Sequence, residues 1–491
     1  MSPDQKGRRR PTQRSVQRPS ERARRTDPAR LAAYTVMRAV AEGAYANLEL
    51  PKVLREKGIS GRDAGFATEL VYGATRMHGL YDQVIASAAG RNLSAIDANV
   101  LDTLRLGTHQ LLGMRVPTHA AVDETVALAR QVNGAGAAGF VNAVMRRVSE
   151  REREVWLDLV APGSMDDLTA TSVRTSHPEW VVRALRAALI GHGLTTAASV
   201  GPELEALLHS DNDAAKVTLV ARPGLATVEE LLGDGVVPAS LARTAAVLDQ
   251  GDPGAFRAVR EGRAAVQDEG SQLVALALAA AEVLPALEGA SERWLDLCAG
   301  PGGKAGLLAG LAIGSGASLT ANELSAHRSE LVRKTLAPAM AAAAGRVTVR
   351  TADGRTAGTD EPGVYDRVLV DAPCTGLGAL RRRPEARWRR SPDDVPALAA
   401  LQRELLSSAI EATRSGGVVG YATCSPHLNE TRFVVLDVAK KRDDVELVDA
   451  RGLFLDVAGR QIPDLGDGPF VQLWPHRHGT DGMFFALLRR R

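Results

Sequence analysis

The sequence predicts a multidomain protein: an all-α bundle, then a small α/β connecting module, then a C-terminal α/β domain with a mainly parallel sheet. Its 491 residues exceed what a single hydrophobic core supports. Apolar residues repeat with helical spacing up to about residue 150. From about residue 263, short apolar runs alternate with helical stretches, which is typical of a doubly wound sheet.

The composition is that of an ordinary globular protein, with 45% hydrophobic and 24% charged residues. No apolar run approaches the roughly 18 residues of a membrane span, and no secretory signal is visible, so we expect a cytoplasmic protein without a membrane partner. The three cysteines, Cys298, Cys374 and Cys424, match no zinc spacing and are odd in number. They predict neither a metal site nor a disulfide framework, and they indicate a reducing cytosol.

A basic arm precedes the first predicted helix. Residues 1–27 carry nine Lys and Arg against three acids, a charge of +6, whereas the whole chain carries +2. Such a Pro-, Gln-, Ser- and Arg-rich segment is expected to be disordered and suits a polyanionic partner. A solubilising tail without a specific partner explains the composition equally well.

The helical pattern over residues 28–155 predicts a bundle of six or seven helices. Asp27 and Pro28 are a typical N-cap and first helical residue. Ala33, Val36 and Met37 then share one helical face. Further along, Gly and Pro separate the apolar faces, as expected at helix ends.

Two segments of this bundle, Arg62–Gly73 and Phe140–Arg147, resemble the NusB family of RNA-binding helical domains. The resemblance implies that the bundle contacts RNA. The alternative is a fold kept for packing or for protein contacts.

The middle of the chain, residues 156–262, is predicted to be a linker followed by a small α/β module. Residues 151–170 are first charged and then rich in Pro, Gly and Asp, which is typical of a linker. A helix at Val181–Ile190 and a strand at Lys216–Ala221 follow. Nothing in this composition points to chemistry.

Residues 263–491 alternate predicted strands and helices, and the last strand, Met483–Leu488, is expected to pair antiparallel at the sheet edge. The long helix is expected to end at Gly416-Gly417. Strands are predicted at Trp294–Leu297, Ser318–Asn322, Val347–Arg350, Val368–Asp371 and Val418–Ala422. Helices are predicted at Ala305–Ala312, Ala326–Ala341, Val395–Ser415 and Asn429–Lys440.

The stretch Asp296–Lys304 is a glycine-rich turn between the first of these strands and a helix. Glycines let the backbone approach a ligand closely, and the next helix begins with its N–H groups facing that ligand. The spacing of Gly300, Gly302 and Gly303 fits neither the dinucleotide fingerprint nor the P-loop. A tight turn without a ligand is the alternative.

Acidic residues stand at or just after four successive strand ends, at Asp296, Glu323, Asp353 and Asp371. Glu323 follows the glycine turn by the distance at which doubly wound sheets present an acid to a ribose. A single acid of this kind could be a helix cap. Acids at several neighbouring strand ends predict a ligand crevice.

Two cysteines follow the next two strand ends, Cys374 within Asp371–Gly378 and Cys424 within Thr423–Ser425. Because the carboxyl ends of parallel strands share one edge of a sheet, both thiols should reach the same crevice. A thiolate is an effective nucleophile when its surroundings are polar or electropositive. Inert buried thiols are the alternative.

These motifs together identify the C-terminal domain as resembling the NOL/NOP2/Sun family of RNA cytosine-C5 methyltransferases. The resembling stretches are Val266–Gln272, the glycine turn, Asp371–Cys374, Arg381–Trp388 and Thr423–Ser425. Thr375 departs from the Ser found in many members but keeps a short hydroxylated side chain. The resemblance implies a Rossmann-like class I methyltransferase fold.

The resemblance also implies a catalytic and a cofactor-binding set. Cys424 is implied to attack C6 of cytosine, Cys374 to assist resolution, and Asp371 to hydrogen-bond the base, with Lys304 lining the same site. The cofactor is implied to be S-adenosyl-L-methionine. Its implied contacts are Cys298, Ala299, Gly300, Pro301, Gly302, Gly303, Lys304, Glu323, Asp353 and Asp371, with Cys298 as a loop residue rather than a nucleophile.

The substrate implied by this domain order is RNA, and the NusB-like bundle favours small-subunit rRNA. The run Arg381–Arg390 places six arginines around Trp388, a composition suited to phosphate neutralisation and base stacking, although a solvated loop is also possible. Alternatives are a tRNA or, less readily, a DNA substrate, or a non-catalytic RNA-binding assembly factor. We expect a monomer.

Overall fold

The computed structural model describes residues 26–164, 167–233, 235–284 and 291–491. The chain divides into two compact units, one comprising Met1–Ala74 and Tyr81–Trp156 and the other Thr75–Leu80 and Leu157–Arg491. Most of the basic arm lies outside the described residues, so its predicted disorder stays a prediction. No helix in the described ranges is long and apolar enough to cross a membrane.

The first unit is the predicted helical bundle. The Asp27 carboxylate caps the first helix by accepting the Arg30 backbone N–H at 2.8 Å. Its core is built from the predicted apolar faces, with Val36 and Leu70 fully buried. The seven helices between residues 28 and 148 are α1 (Pro28–Ala41), α2 (Ala46–Glu56), α3 (Gly61–Arg76), α4 (His78–Ala89), α5 (Ala98–Leu112), α6 (Thr118–Val132) and α7 (Ala135–Val148).

The predicted linker is wrong, because most of it is helical. Trp156 is buried, and its indole N–H donates to the Val148 carbonyl oxygen at 3.0 Å. The charged residues before Trp156 cover only the start of a helix, so their polarity hid it. The helices α8 (Arg153–Val160) and α9 (Leu168–Arg174) lie in or overlap the predicted linker. They are followed by α10 (Glu179–Gly191) and α11 (Val200–Ser210).

A four-stranded antiparallel sheet follows, in the order β2-β3-β1-β4. It takes in residues beyond the predicted boundary at 262, because Ala265 pairs with Val220. The strands are β1 (Val217–Ala221), β2 (Val236–Pro238), β3 (Ala245–Leu248) and β4 (Ala264–Val266).

The main sheet has the order β10-β12-β9-β8-β5-β6-β7, and β11 pairs with β12 beside it. The five strands from β9 to β7 in that order are parallel, so their carboxyl ends lie along one edge. The strands are β5 (Arg293–Asp296), β6 (Ser318–Glu323), β7 (Val347–Thr351), β8 (Tyr365–Asp371), β9 (Thr413–Thr423), β10 (Val445–Val448), β11 (Val471–Gln472) and β12 (Phe484–Arg490).

The last strand is antiparallel as predicted, but it does not lie at the sheet edge. β12 pairs with β9 on one side and with β10 on the other. The four residues of β10 are all half-buried, so no alternation of buried and exposed residues marks β10 as the edge strand.

Helices cover both faces of this sheet, with Leu307 and Leu308 in one core and Leu405 and Leu406 in the other. The helices that follow β3 in the chain are α12 (Arg257–Arg260), α13 (Glu269–Ala280), α14 (Gly303–Gly314), α15 (Ala326–Ala342), α16 (Ala357–Asp360), α17 (Ala386–Arg389), α18 (Asp394–Ala412), α19 (Arg432–Ala439) and α20 (Pro475–His478). Short 3₁₀ turns lie at Leu93–Ala95, Glu229–Leu231, Pro253–Ala255, Gly354–Thr356, Leu428–Glu430 and Arg451–Leu453.

The long helix α18 ends earlier than predicted and passes directly into β9. The Thr413 hydroxyl donates to the Ala409 carbonyl oxygen at 2.7 Å, which closes the helix. Gly416, with φ +80°, lies inside the strand near a register irregularity of the β8–β9 pair. The glycine pair therefore marks a bend in a strand and not the end of a helix.

Candidate active site

In the glycine turn after β5, the backbone lies close to neighbouring side chains. Gly302 adopts φ +115° as the N-cap of α14, a conformation that favours glycine. A Cβ on Gly300 would lie 2.1 Å from Oε2 of Glu323, and a Cβ on Gly302 would lie 2.8 Å from Cβ of Thr335. A side chain at either position would therefore require the turn, the Glu323 carboxylate or Thr335 to move.

The acids predicted at the next two strand ends are in place. Glu323 is 5% exposed, and its Oε1 accepts the Ser325 backbone N–H at 3.0 Å. Arg328 donates to the Gly300 carbonyl oxygen at 2.6 Å and so ties the turn to this acid. Asp353, after β7, pairs with Arg355 at 2.6 Å, and its hydrogen bonds to Arg355 lower its pKa.

Asp296 lies at the bottom of the crevice and is fully buried. Within the described parts of the chain, neither of its carboxylate oxygens has a side-chain hydrogen-bond partner. Burial, followed by the charge of Asp371, raises its pKa to about 8. The two Asp296 oxygens, which lack a side-chain partner among the described residues, and the Glu323 carboxylate beside the glycine turn are acceptors, and they fit a ligand with amine and hydroxyl donors such as S-adenosylmethionine.

Lys304, the last residue of the turn, forms an ion pair across the crevice. Its Nζ donates to Oδ2 of Asp371 at 3.0 Å, and the lysine side chain is 10% exposed. Burial opposes its charge, but Asp371 and Cys424 outweigh burial and raise its pKa. Lys304 is therefore a fixed cation beside the Cys424 thiol.

The two predicted cysteines meet at the same edge, with their Sγ atoms 3.5 Å apart. The hydrogen bond from Cys374 lowers the pKa of Cys424, and Lys304 and Arg383 act in the same direction. The pKa of Cys374 is raised by the same hydrogen bond and by burial. The pair is thus asymmetric: the pKa of Cys424 is lowered and that of Cys374 is raised, so Cys424 is the thiol that loses its proton more readily.

Backbone pairing brings these cysteines together from distant parts of the chain. Asp371 and Ala422 are partners in the parallel β8–β9 register. Beyond the strands, the Gly378 N–H donates to the Cys424 carbonyl oxygen at 2.9 Å, and the Gly482 N–H donates to the Gly378 carbonyl oxygen at 2.7 Å. Both cysteine loops are therefore fastened to each other at a point close to the thiols.

The third cysteine, Cys298, lies in the glycine turn and differs from the pair. Burial, followed by the negative charge of Asp296, raises its pKa well above the usual range of a thiol. A thiol of this kind is a poor nucleophile, which agrees with its prediction as a loop residue.

Glu430 and His192 are site residues that the sequence did not indicate. The Glu430 carboxylate is fully buried and accepts hydrogen bonds from the loops that follow both cysteines. The His192 Nε2–H donates to the Pro426 carbonyl oxygen at 2.9 Å, and burial lowers the pKa of this histidine to about 4. Glu430 resembles an ordinary acid near a helix start, and His192 belongs to a helix far away in the sequence, so no local pattern marks either.

The prediction that the run Arg381–Arg390 faces RNA is wrong for three of its arginines. Arg387 is fully buried and donates to Asn212 and to two backbone carbonyl oxygens. Arg382 forms ion pairs with two acids, and Arg381 donates to a backbone carbonyl oxygen. Arg383 is the exposed arginine of the run. The acceptors of Arg381, Arg382 and Arg387 are distant in the chain, so the sequence does not reveal them.

Comparisons with known proteins match this architecture. Residues 285–489 match the family model described as 16S rRNA methyltransferase RsmB/F, and residues 27–150 match the NusB family. A Mycobacterium tuberculosis protein named as a methyltransferase is 53% identical over 96% of this chain and 98% of its own length. The chain belongs to the RsmB/F methyltransferase family. Its members are S-adenosylmethionine-dependent RNA methyltransferases, and a NusB domain precedes the catalytic domain in this chain.

Other members of the RsmB/F family and their neighbours are similar along the chain. The ribosomal RNA small subunit methyltransferase B of Pseudomonas putida is 34% identical and covers 94% of this chain and 98% of its own. The crystal structure of PH0851 matches with a TM-score of 0.76 at 22% identity, covering 94% of this chain and 99% of that one. NSun6 from Pyrococcus horikoshii, solved with SFG, matches with a TM-score of 0.50 at 17% identity over 63% of this chain and 98% of its own. These two structures confirm the fold.

Proposed function

We propose that this RsmB/F-family protein transfers a methyl group from S-adenosylmethionine to C5 of a cytosine in small-subunit rRNA, through a covalent adduct between Cys424 and C6. The observation that carries the proposal is the asymmetric thiol pair at the carboxyl edge of the sheet. Cys424 and Cys374 lie 3.5 Å apart beside the Lys304–Asp371 ion pair.

Cytosine C5 is too weak a nucleophile to take a methyl group unaided, and a thiolate changes this. The Cys424 thiolate forms a bond to C6, and the C5=C6 π electrons become available at C5. When bound, S-adenosylmethionine supplies the electrophilic methyl group. After C5 has gained the methyl group, its proton passes to solvent water, the electrons of that C–H bond restore the C5=C6 bond, the S–C6 bond breaks and Cys424 leaves as a thiolate.

The neighbouring groups suit these steps. The Cys374 sulfur lies 3.5 Å from the Cys424 sulfur and is positioned to assist release of the product. The Asp371 carboxylate can accept hydrogen bonds from the cytosine amino group and from N3–H of the adduct, in which N3 is protonated. Lys304 holds this carboxylate in place at 3.0 Å and favours the thiolate form of Cys424.

The cofactor residues are proposed from the same geometry. The loop Cys298–Lys304 would hold the methionine part, Glu323 the ribose and Asp353 the adenine edge, with Asp371 close to the methyl group. Gly300 and Gly302 leave the space that side chains would fill. In the described part of the chain, no cluster of His, Cys, Asp and Glu is suited to a metal ion.

The choice of rRNA rests on the relatives and on the domain order. Relatives named as small-subunit rRNA methyltransferases are similar along more than nine-tenths of this chain, and the N-terminal bundle is a NusB domain. We propose that this domain contacts RNA. Three free thiols suit a reducing compartment, so we propose that the protein is cytoplasmic. We also propose that it is a monomer.

A methylation map tests the substrate. Bisulfite sequencing of rRNA and tRNA from a deletion strain should reveal one small-subunit rRNA cytosine that has lost its methyl group. Loss confined to tRNA would instead favour the tRNA alternative, and a complete absence of change would favour the assembly factor.

Trapping of the adduct tests the mechanism. The Cys374→Ala protein incubated with RNA and S-adenosylmethionine should accumulate a covalent complex that runs as a slower band on a denaturing gel. Cys424→Ala should give none. A complex formed by Cys424→Ala and not by Cys374→Ala would reverse the two roles.

A further inference from the structure

Glu430 lies beneath the thiol pair and is fully buried. Its Oε1 accepts the Thr375 backbone N–H at 2.7 Å, and its Oε2 accepts the Thr375 hydroxyl and the Ser425 hydroxyl, the latter at 2.7 Å. A weaker bond of 3.5 Å comes from the Gln402 amide. All four partners are donors, so the pocket matches a carboxylate.

The hydrogen-bond partners of Glu430 lie next to the two cysteines in the chain. Thr375 directly follows Cys374 in the chain, and Ser425 directly follows Cys424. One carboxylate therefore holds the residue after each cysteine. The two loops come from different strands, and Glu430 joins them on the side away from the crevice.

Glu430 is itself held firmly. The Tyr421 hydroxyl donates to the Glu430 carbonyl oxygen at 2.7 Å, and Tyr421 is buried in β9. The Gln402 amide also donates to the Pro373 carbonyl oxygen at 2.8 Å, just before Cys374. β9 and α18 thus fix both ends of the network.

Packing alone gives no reason for an acid at this position. Among the described residues, Glu430 forms no ion pair with Lys, Arg or His. A buried acid without a cation costs stability compared with an apolar residue of similar size, even when it is well hydrogen-bonded. We propose that Glu430 is a positioning residue that sets the relative placement of Cys374 and Cys424.

This inference rests on the proposed function, because the placement matters only if both thiols act on one base. The electrostatics agree with it. The negative charge of Glu430 contributes to the raised pKa of Cys374 and so helps Cys374 to remain the protonated partner of the pair. The residue thus acts through its neighbours and does not touch the substrate.

Substitutions that preserve side-chain size show whether Glu430 positions the two cysteines or only fills space. In Glu430→Gln the side chain keeps its size, but its amide N–H₂ faces hydroxyls that have lost their acceptor. Thr375→Val removes one hydroxyl, whereas Thr375→Ser keeps it and is the conservative control. Glu361→Gln is the control for loss of a carboxylate away from the thiols, because Glu361 accepts the Tyr365 hydroxyl and pairs with Arg350 at the opposite end of β8.

The first readout needs no RNA. A short bifunctional thiol reagent should bridge Cys374 and Cys424 in the wild-type protein, and the yield can be measured by mass spectrometry of the linked peptides. We expect a several-fold lower yield in Glu430→Gln and Thr375→Val. Thr375→Ser and Glu361→Gln should match the wild type.

The second readout is turnover. We expect Glu430→Gln to lower kcat by about 10- to 100-fold, with the KM values for RNA and S-adenosylmethionine changed little. The losses in Glu430→Gln and Thr375→Val should be strongly non-additive when combined, because both act through one network. Circular dichroism should show folded variants.

The outcomes distinguish the two proposals. If wild-type protein methylated no cytosine, the proposed function would fail, while the cross-linking result would still decide whether Glu430 places the thiols. If Glu430→Gln cross-linked and turned over like the wild type, the positioning role would be wrong. A kcat loss in Glu430→Gln equal to that in Glu361→Gln would also overturn it, since it would reflect general destabilisation.

Discussion

The Sγ atoms of Cys374 and Cys424 lie 3.5 Å apart although the residues are 50 positions apart in the chain. Their surroundings differ in kind. The hydrogen bond between the thiols, followed by Lys304 and Arg383, lowers the pKa of Cys424. The same hydrogen bond, followed by burial and the charge of Glu430, raises the pKa of Cys374. One site therefore holds two thiols whose pKa values are shifted in opposite directions.

This asymmetry predicts the order in which the thiols react. Iodoacetamide should alkylate Cys424 first, at a lower pH than Cys374, and Cys298 should react slowly because its pKa is raised. In Cys374→Ala, Cys424 loses its S–H donor, so the pH at which it reacts should move upward. Peptide mass spectrometry across a pH series measures both rates. Faster labelling of Cys374, or an unchanged profile in Cys374→Ala, would contradict the assignment.

The glycine turn predicts a substitution that blocks the cofactor. In Gly300→Ala the new Cβ would lie 2.1 Å from Oε2 of Glu323, so the turn or the acid must move. S-adenosylmethionine binding, measured by calorimetry, should weaken by at least about tenfold. Gly303→Ala is the matched control, because its Cβ would meet no atom within 4 Å. Equal affinities for the two variants would argue against a ligand in this turn.

Asp296 predicts a pH dependence of stability in the ligand-free protein. Its pKa is about 8 when folded and about 3.9 when unfolded, so between these values the folded state holds the extra proton. Stability from this group is therefore present at low pH and is lost as pH rises toward 8. Asp296→Asn should remove that loss.

Thermal unfolding at pH 5 and pH 8 measures the effect. Relative to the wild type, Asp296→Asn should gain in Tm on going from pH 5 to pH 8. Asp353→Asn is the control, because the lowered pKa of Asp353 keeps its titration below this window. A pH-independent difference for Asp296→Asn would show that Asp296 is ionised throughout.

The basic run predicts two arginines with opposite phenotypes. Arg387→Met removes a buried guanidinium with three hydrogen bonds and should cost about 3–5 kcal/mol of stability, seen as a lower Tm. Arg383→Met, at an exposed position, should leave Tm nearly unchanged and weaken RNA binding, with a smaller dependence of affinity on salt. Weakened RNA binding by Arg387→Met at a temperature where it is folded, with none by Arg383→Met, would reverse these assignments.

The sequence predicted those parts of the site that are formed by residues adjacent in the chain. A strand, a glycine turn and a helix are adjacent in the chain, and the acids and cysteines follow strand ends directly. Parallel pairing then brings them to one edge, as at Asp371 and Ala422. These positions could therefore be read from short stretches.

Features that depend on distant partners could not be predicted. From the sequence, Arg387 resembles a nucleic-acid contact. In the structure, its guanidinium donates hydrogen bonds to Asn212 and to the Ser176 carbonyl oxygen. The strand β12 was placed at an edge because β10, its outer neighbour, has no clear apolar alternation. Glu430 gains its role from loops that only the folded chain assembles.

The position of β12 has a consequence for the time at which the protein becomes competent. β12 supports β9 up to Thr423, next to Cys424, and Gly482 just before it fastens the Cys374 loop. Ribosomes translate these residues well after both cysteines. A nascent chain therefore carries its thiols on loops without their support until residue 490 has emerged, and methyl transfer has to await that point in synthesis.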